Sequence, residues 1–320
     1  MIDGLTRLGA ETVCHASTDG PLCGMYEGWR ATSERRAATD VIEDESLDLV
    51  VLAGVPADRG GHALAAVRAG QHVLAAKPAV TTLAELAELE KAASGEVRWW
   101  VFFSERLCNR AVNEAVRLVH AGAIGQLVAV AGTAPHTLAP ESRPDWFFDP
   151  AQAGGILSDL ATHQADQMLA LTGAHTLEVV SAWVDNVATP QHPQFHDLGS
   201  MALRATTAHG HTVRSTHHVD WLTPTGLGTW GDVRLMLTGT EGTIEVRSNI
   251  DVAGVPGPEH LILVDATSAR RIDCSSVSID WSERLAADIA NGSDTFVPHT
   301  HTVTACATAL RAQQLAEASS

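Results

Sequence analysis

Leu47-Asp48-Leu49-Val50-Val51-Leu52-Ala53 and Gln71-His72-Val73-Leu74-Ala75-Ala76-Lys77-Pro78 decide how this chain folds. The first is a continuous apolar run, the pattern of a strand buried on both faces of a parallel sheet. The second reads as another strand, ending at Lys77-Pro78. Residues 60–69 between them read as a helix stopped by Gly70. Strand, helix and strand joined by short connections make a βαβ unit, which sets the strands parallel. The pattern extends outward. Ile2, Leu5 and Leu8 mark the tail of a helix over residues 2–9, and residues 11–17 read as a strand. Thr82-Leu83-Ala84-Glu85 matches a capping box opening a helix that runs to about Ala93, and residues 97–103 make one more strand. Residues 1–103 are therefore expected to form a doubly wound α/β layer.

The texture changes after Phe103. Residues 111–121 read as an amphipathic helix ended by Gly122, residues 127–134 as a strand, and residues 135–153 as irregular. From His175 onward the runs 176–187, 200–206, 212–222, 233–238, 242–248 and 260–265 alternate or are rich in β-branched residues. Turn signals such as Gly239-Thr240-Glu241-Gly242 separate them, which predicts a mostly antiparallel open sheet. A last helix is expected from about Thr300 to Ala318. Residues 104–320 thus read as an α+β domain, its final helix a candidate to pack back on the first domain.

The formal net charge of −17 argues against a nucleic-acid or anionic-membrane partner, both of which need a basic surface. The five cysteines are scattered, without a C-x-x-C spacing, so neither a disulfide framework nor a zinc knuckle is expected. No basic-then-apolar leader occurs and no apolar run approaches ~18 residues. A cytoplasmic protein is the expectation.

Gly154-Gly155 opens a segment that reads as one helix stopped by Gly173. Asp159, His163 and Asp166 fall within about 60° of arc on its polar face, with Asp159 and His163 at i, i+4. Such a face is either solvated or functional. A metal site there is geometrically open, but no second ligand cluster supports it, and none is expected. In the preceding loop, Arg143, Trp146 and neighbouring aromatics could wall a sugar-like substrate, with Arg143 or His136 as a polar handle, or could form a self-packed Ω-loop. His217-His218-Val219-Asp220-Trp221 invites a similar question, although a strand histidine is more often simply paired.

Three segments now line up: Gly70-Gln71-His72-Val73-Leu74-Ala75-Ala76-Lys77-Pro78, the Gly154-Gly155 to Asp166 helix, and Gly239-Thr240-Glu241-Gly242-Thr243-Ile244-Glu245. In this order they resemble the glucose–fructose oxidoreductase / inositol 2-dehydrogenase / MocA family of NAD(P)-dependent oxidoreductases. That family joins a Rossmann-type domain to one with a mostly antiparallel sheet. The resemblance implies NAD or NADP as cofactor, contacted by Ser17, Pro56 and Lys77. It implies a sugar, polyol or related hydroxy or keto substrate, touched by His136, Arg143, Trp146, Asp159 and His163. It also implies a homodimer or homotetramer formed through the C-terminal sheet. Lys77, Asp159 and His163 correspond to the family's motif lysine, aspartate and histidine. The chemistry gives them reasons to be there. Taking a hydride from a carbinol carbon requires the hydroxyl proton to leave too, and an imidazole suits that acid/base role. A lysine ammonium stabilises negative charge developing on the oxygen. In a second assignment Lys77 shuttles the proton and His163 only binds substrate.

The chain also departs from the family pattern. The first strand and its G-x-G-x-x-G turn, which would hold the pyrophosphate, do not precede residue 11. Gly20, Gly24 and Gly28 have the wrong spacing and read as a loop. Ala76 stands where the motif has glutamate. Ser17 or Thr18 stands where an acidic residue would hold the ribose, leaving NAD or NADP open. Some 15–20 residues, judged from the size of a strand plus glycine turn, are expected to be missing upstream. The alternative function is a non-catalytic relative that binds a sugar-like ligand or a partner protein.

Overall fold

A computed structural model describes residues 1–16, 32–93, 95–207, 209–251 and 254–319. Ser17 and the Gly20, Gly24 and Gly28 loop lie outside the described residues. The chain starts with α1 (Ile2–Thr6), the short parallel strands β1 (Cys14–His15) and β2 (Glu34–Arg35), and α2 (Ala38–Ile42). The βαβ pattern follows as β3 (Leu49–Leu52), α3 (Pro56–Arg68), β4 (His72–Ala75), α4 (Leu83–Ala92) and β5 (Trp99–Val101). β3, β4 and β5 pair in parallel in that order, with Val50 opposite Val73 and Leu74 opposite Trp100. The expected capping box forms: the Thr82 hydroxyl accepts from the Glu85 N–H at 3.1 Å, and the Glu85 carboxylate accepts from the Thr82 N–H at 3.0 Å.

Val73, Leu74, Ala75, Trp99, Trp100 and Val101 are fully buried, as strands covered on both faces should be. Leu49, Val51 and Leu52 of β3 are only half-buried. Among the described residues the parallel strands form two pieces, β1–β2 and β3–β4–β5, with β1 and β3 unpaired to each other. The core of this unit is completed by residues from far along the chain. Trp281 meets Phe102 edge-on at 4.7 Å, and Phe296 meets Trp100 at 6.2 Å. A Cβ on Gly4 would lie 2.2 Å from the Trp281 ring, so the α1 backbone rests directly on that indole. One compact unit accordingly comprises Met1–Phe102, Ala139–Gly154 and Asp280–Val303.

The other unit comprises Phe103–Leu138, Gly155–Ile279 and Thr304–Ser320. After α5 (Ser104–Leu107), α6 (Arg110–His120) and β6 (Leu127–Pro135), the chain forms α7 (Pro150–Ala153), which belongs to the first unit, and then α8 (Ile156–Asp159) and α9 (Ala161–Thr172). Strands β7 (Leu177–Asp185), β8 (Leu198–Thr206), β9 (Thr212–Asp220), β10 (Arg234–Gly239), β11 (Gly242–Arg247), β12 (His260–Asp265) and β13 (Ala269–Ile272) come next. Helices α10 (Trp281–Asn291) and α11 (His299–Glu317) close the chain. The sheet order is β13-β12-β11-β10-β6-β9-β8-β7. Every pairing in it is antiparallel except β6 with β9, where Gly132 stands opposite His217. The Gly239 to Glu245 segment is the predicted hairpin, joining β10 to β11. β13 was not expected from the sequence; its Ala-Arg-Arg-Ile carries no apolar alternation.

His217 is fully buried in β9, and a Cβ on Gly132 would come within 2.7 Å of its ring. Burial pushes its pKa down to about 4 from the ordinary 6.5, because neither ring nitrogen has a hydrogen-bond partner to stabilise a charge. The unfolded chain therefore takes up a proton between those values that the folded chain refuses. Stability is complete above pH 6.5 and drains away as the pH falls toward 4. Linkage sets the loss between pH 7 and pH 5 at about 2 kcal/mol. Urea midpoints for the protein and for His217→Leu should show this: the variant loses that part of the pH dependence. An unchanged profile contradicts the buried neutral imidazole.

Candidate active site

The segment carrying Asp159 and His163 is set by two glycines. Gly154 closes α7 in the left-handed region at φ 88°. Gly155 follows at φ 84°, ψ 160°, a conformation essentially confined to glycine. Gln313 of α11 folds over Gly155, and its Oε1 accepts the Leu157 N–H at 2.9 Å, satisfying a donor at the start of α8. A Cβ on Gly155 would lie 2.4 Å from that carboxamide. The predicted single helix is in fact two, α8 and α9, separated at Leu160, whose φ −85° and ψ −45° keep the right-handed twist. Asp159 ends α8, half-buried. His163 lies in the first turn of α9, 2 % exposed, its ring edge-on to Phe103 at 6.4 Å.

The polar face read from the sequence is not wet. Asp166 is fully buried, and Arg106 of α5 grips it with two donors, Nε at 2.8 Å and Nη2 at 2.5 Å. The physical reason is α5, which lays consecutive charged residues, Glu105 and Arg106, against α9. Glu105 Oε2 accepts from Gln164 Nε2 at 3.0 Å and Gln167 Nε2 at 3.2 Å. Its Oε1 lies 3.6 Å from His136 Nε2. His136, just past β6, is further held by an Nδ1 contact to the Ala134 carbonyl at 3.1 Å and by Trp221, edge-on at 5.6 Å. Burial and the neighbouring Asp166 push the Cys306 thiol up to about 12, so it stays protonated.

The other sequence candidates divide. Lys77 follows the C-terminal end of β4, half-buried, and its peptide bond to Pro78 is cis. Pro56 is the first residue of α3, whose N-cap Val55 offers no side-chain cap. Arg143 stacks over the Phe147 ring at 4.2 Å, and Trp146 and Phe148 each meet Phe147 edge-on. The His217 to Trp221 stretch splits as well: His217 is core, and His218 lies 3.5 Å from Asp220, whose carboxyl burial pushes up. Gly226, Gly228 and Gly231 have dinucleotide-fingerprint spacing but lie in the β9–β10 loop, without the strand-to-helix turn that gives the spacing meaning. A cavity of about 380 Å³ beside β12 and β13 contains none of the candidate residues. Its Arg271 is bound to His260 and Asp251, and its Glu259 to Arg110. Among the described residues no group of three or more His, Cys, Asp and Glu could hold a metal ion, and no helix is long and apolar enough to cross a membrane.

Sequence reasoning passed over Arg59, Glu105 and Arg106. One legible signal was also missed: Lys77 and Lys91 are the two lysines of the chain, while arginine fills the other basic positions. A family model for the GFO/IDH/MocA C-terminal domain matches residues 112–245. The fold is that of a crystal structure from Erwinia carotovora atroseptica SCRI1043, provisionally named an oxidoreductase. That match has a TM-score of 0.91 and 31 % identity, covering 98 % of this chain and 94 % of that one. It is also that of levoglucosan dehydrogenase in complex with NADH and levoglucosan, with a TM-score of 0.75 and 19 % identity over 97 % of this chain and 89 % of that one. By sequence, 171 residues are 27 % identical to 1,5-anhydro-D-fructose reductase of Ensifer adhaerens, 52 % of this chain and 51 % of that protein. The chain spans about half the length of the curated relatives it matches.

Proposed function

The chain belongs to the GFO/IDH/MocA family, and on that footing we propose that it is an NAD(P)-dependent oxidoreductase acting on the carbinol or carbonyl carbon of a sugar, anhydro-sugar or polyol. The observation that carries the reading is His163: a nearly buried imidazole on α9, four residues after Asp159, in a segment opened by two glycines at positive φ, the second closed over by Gln313. The named relatives act on anhydro-sugars, which makes small cyclic sugars the first substrates to try.

The residues at the C-terminal ends of β3 and β4 fit the nicotinamide end of a dinucleotide. Among the described residues nothing lies within 4 Å of where a Gly54 Cβ would be and no side chain caps the N-terminus of α3, and Lys77 follows β4. Strand ends and helix N-termini of this kind are where open α/β sheets take up nucleotides. When bound, nicotinamide supplies the hydride acceptor or donor. This chain's residues supply the rest. In oxidation the His163 imidazole accepts the hydroxyl proton, and in reduction it returns it. The Lys77 ammonium stabilises charge on the reacting oxygen, and the Asp159 carboxylate accepts a substrate hydroxyl. His136 and Arg143 are proposed to touch the sugar, and two such chains to pair through the outer face of the eight-stranded sheet. The test is absorbance at 340 nm with NAD or NADP across levoglucosan, 1,5-anhydro-sugars, inositols and open-chain polyols. Turnover confined to this class supports the proposal. Turnover with none of them, together with tight binding of one, favours the non-catalytic sugar-binding alternative.

A further inference from the structure

Arg59 lies in the first turn of α3 and is 7 % exposed. Its guanidinium reaches main-chain carbonyls on two separate loops. Nε donates to Gly54 O at 2.7 Å, and Nη2 lies 3.5 Å from Ala53 O, both just after β3. Nη1 donates to Ala76 O at 3.2 Å, Lys77 O at 2.9 Å and Pro78 O at 2.7 Å, all just after β4. Residues 76–78 lie beyond β4, where the parallel ladder no longer supplies partners for carbonyl oxygens. A buried carbonyl without a donor is costly, and a charge-assisted donor is a strong one.

We propose that Arg59 is a positioning residue for Lys77: one buried guanidinium ties the turn that carries Lys77 to the loop after β3 and so fixes where the Lys77 ammonium projects. Only arginine does this economically. Its planar fork presents five N–H donors in fixed directions, enough to serve acceptors on both loops at once. A lysine at 59 would bring three donors on one atom and could hold one loop or the other. The backbone of Lys77 thus has its direction set from α3, a helix outside the turn itself, much as an outer layer of contacts holds any reactive group in place. The inference rests on the proposed role of Lys77 in turnover, but its test does not need turnover.

Because Lys77 and Lys91 are the two lysines of the chain, reductive methylation with ¹³C-formaldehyde places labels on two side chains and the N-terminus. The Lys91→Arg variant assigns them. In Arg59→Met, and more mildly in Arg59→Gln, the Lys77 methyl signal is expected to move and to approach the shift of exposed Lys91, while the Lys91 signal stays in place. Circular dichroism selects whichever variant keeps the fold, and Arg59→Gln retains donors enough to fold should Arg59→Met fail. A Lys77 signal unmoved in a folded Arg59 variant overturns the proposal. Lys77→Met separates the two ideas: full turnover in that variant removes the catalytic role of Lys77 and leaves the clamp standing.

Discussion

His163→Ala is expected to lower kcat by about 10²–10⁴-fold, the usual contribution of a positioned acid/base group, with little change in KM. The proton on the substrate hydroxyl must leave as the hydride departs, and α9 holds this imidazole against Phe103 in a nearly dry setting. Lys77→Ala should also reduce turnover, but through the charge on the oxygen. The comparison uses whichever sugar turns over best with NAD or NADP. A fall in kcat at nearly unchanged KM in His163→Ala supports the assignment. A raised KM with unchanged kcat in His163→Ala would show that the histidine only binds substrate and that Lys77 moves the proton.

The second large effect is on stability. Asp166→Ala should destabilise the protein by about 3–5 kcal/mol, because it strands the Arg106 guanidinium, 11 % exposed, without its carboxylate. A buried pair is costly to break and far less costly to replace. Arg106→Met combined with Asp166→Leu should therefore recover most of the loss, the two sites being strongly coupled. Urea unfolding of Asp166→Ala and of the Arg106→Met/Asp166→Leu double variant measures this. If Asp166→Ala costs less than about 1 kcal/mol, the range of a surface pair, α5 and α9 are not joined as described.

Where the sequence was read correctly, the reason is local. Parallel strands announce themselves as unbroken apolar runs, as in residues 47–53 and 71–76, although only the second is buried on both faces; in the first, Val50 alone is buried. The Thr82/Glu85 box and the Gly239 to Glu245 hairpin are spacings of a few residues and formed as expected. Asp166 went the other way. Its position on a polar face is a local fact, but its partner Arg106 is sixty residues away, and periodicity along one helix cannot reveal what packs on it. The same holds for Arg59, whose acceptors are carbonyls and carry no side-chain signature. His217 reads in the sequence as one of several strand histidines, and only the glycine opposite it, Gly132 on β6, explains why an imidazole fits there with no hydrogen-bond partner among the described residues. Leu160, at the break between α8 and α9, has nothing in its side chain to mark the spot.

The proposed oxidoreductase must bind a nicotinamide dinucleotide, and the decisive measurement is a titration of the purified protein with NADH and with NADPH, followed by nicotinamide fluorescence and calorimetry. Saturable one-to-one binding of at least one of them, weakened in Lys77→Ala, is the predicted result. No binding of either by the folded protein would contradict it.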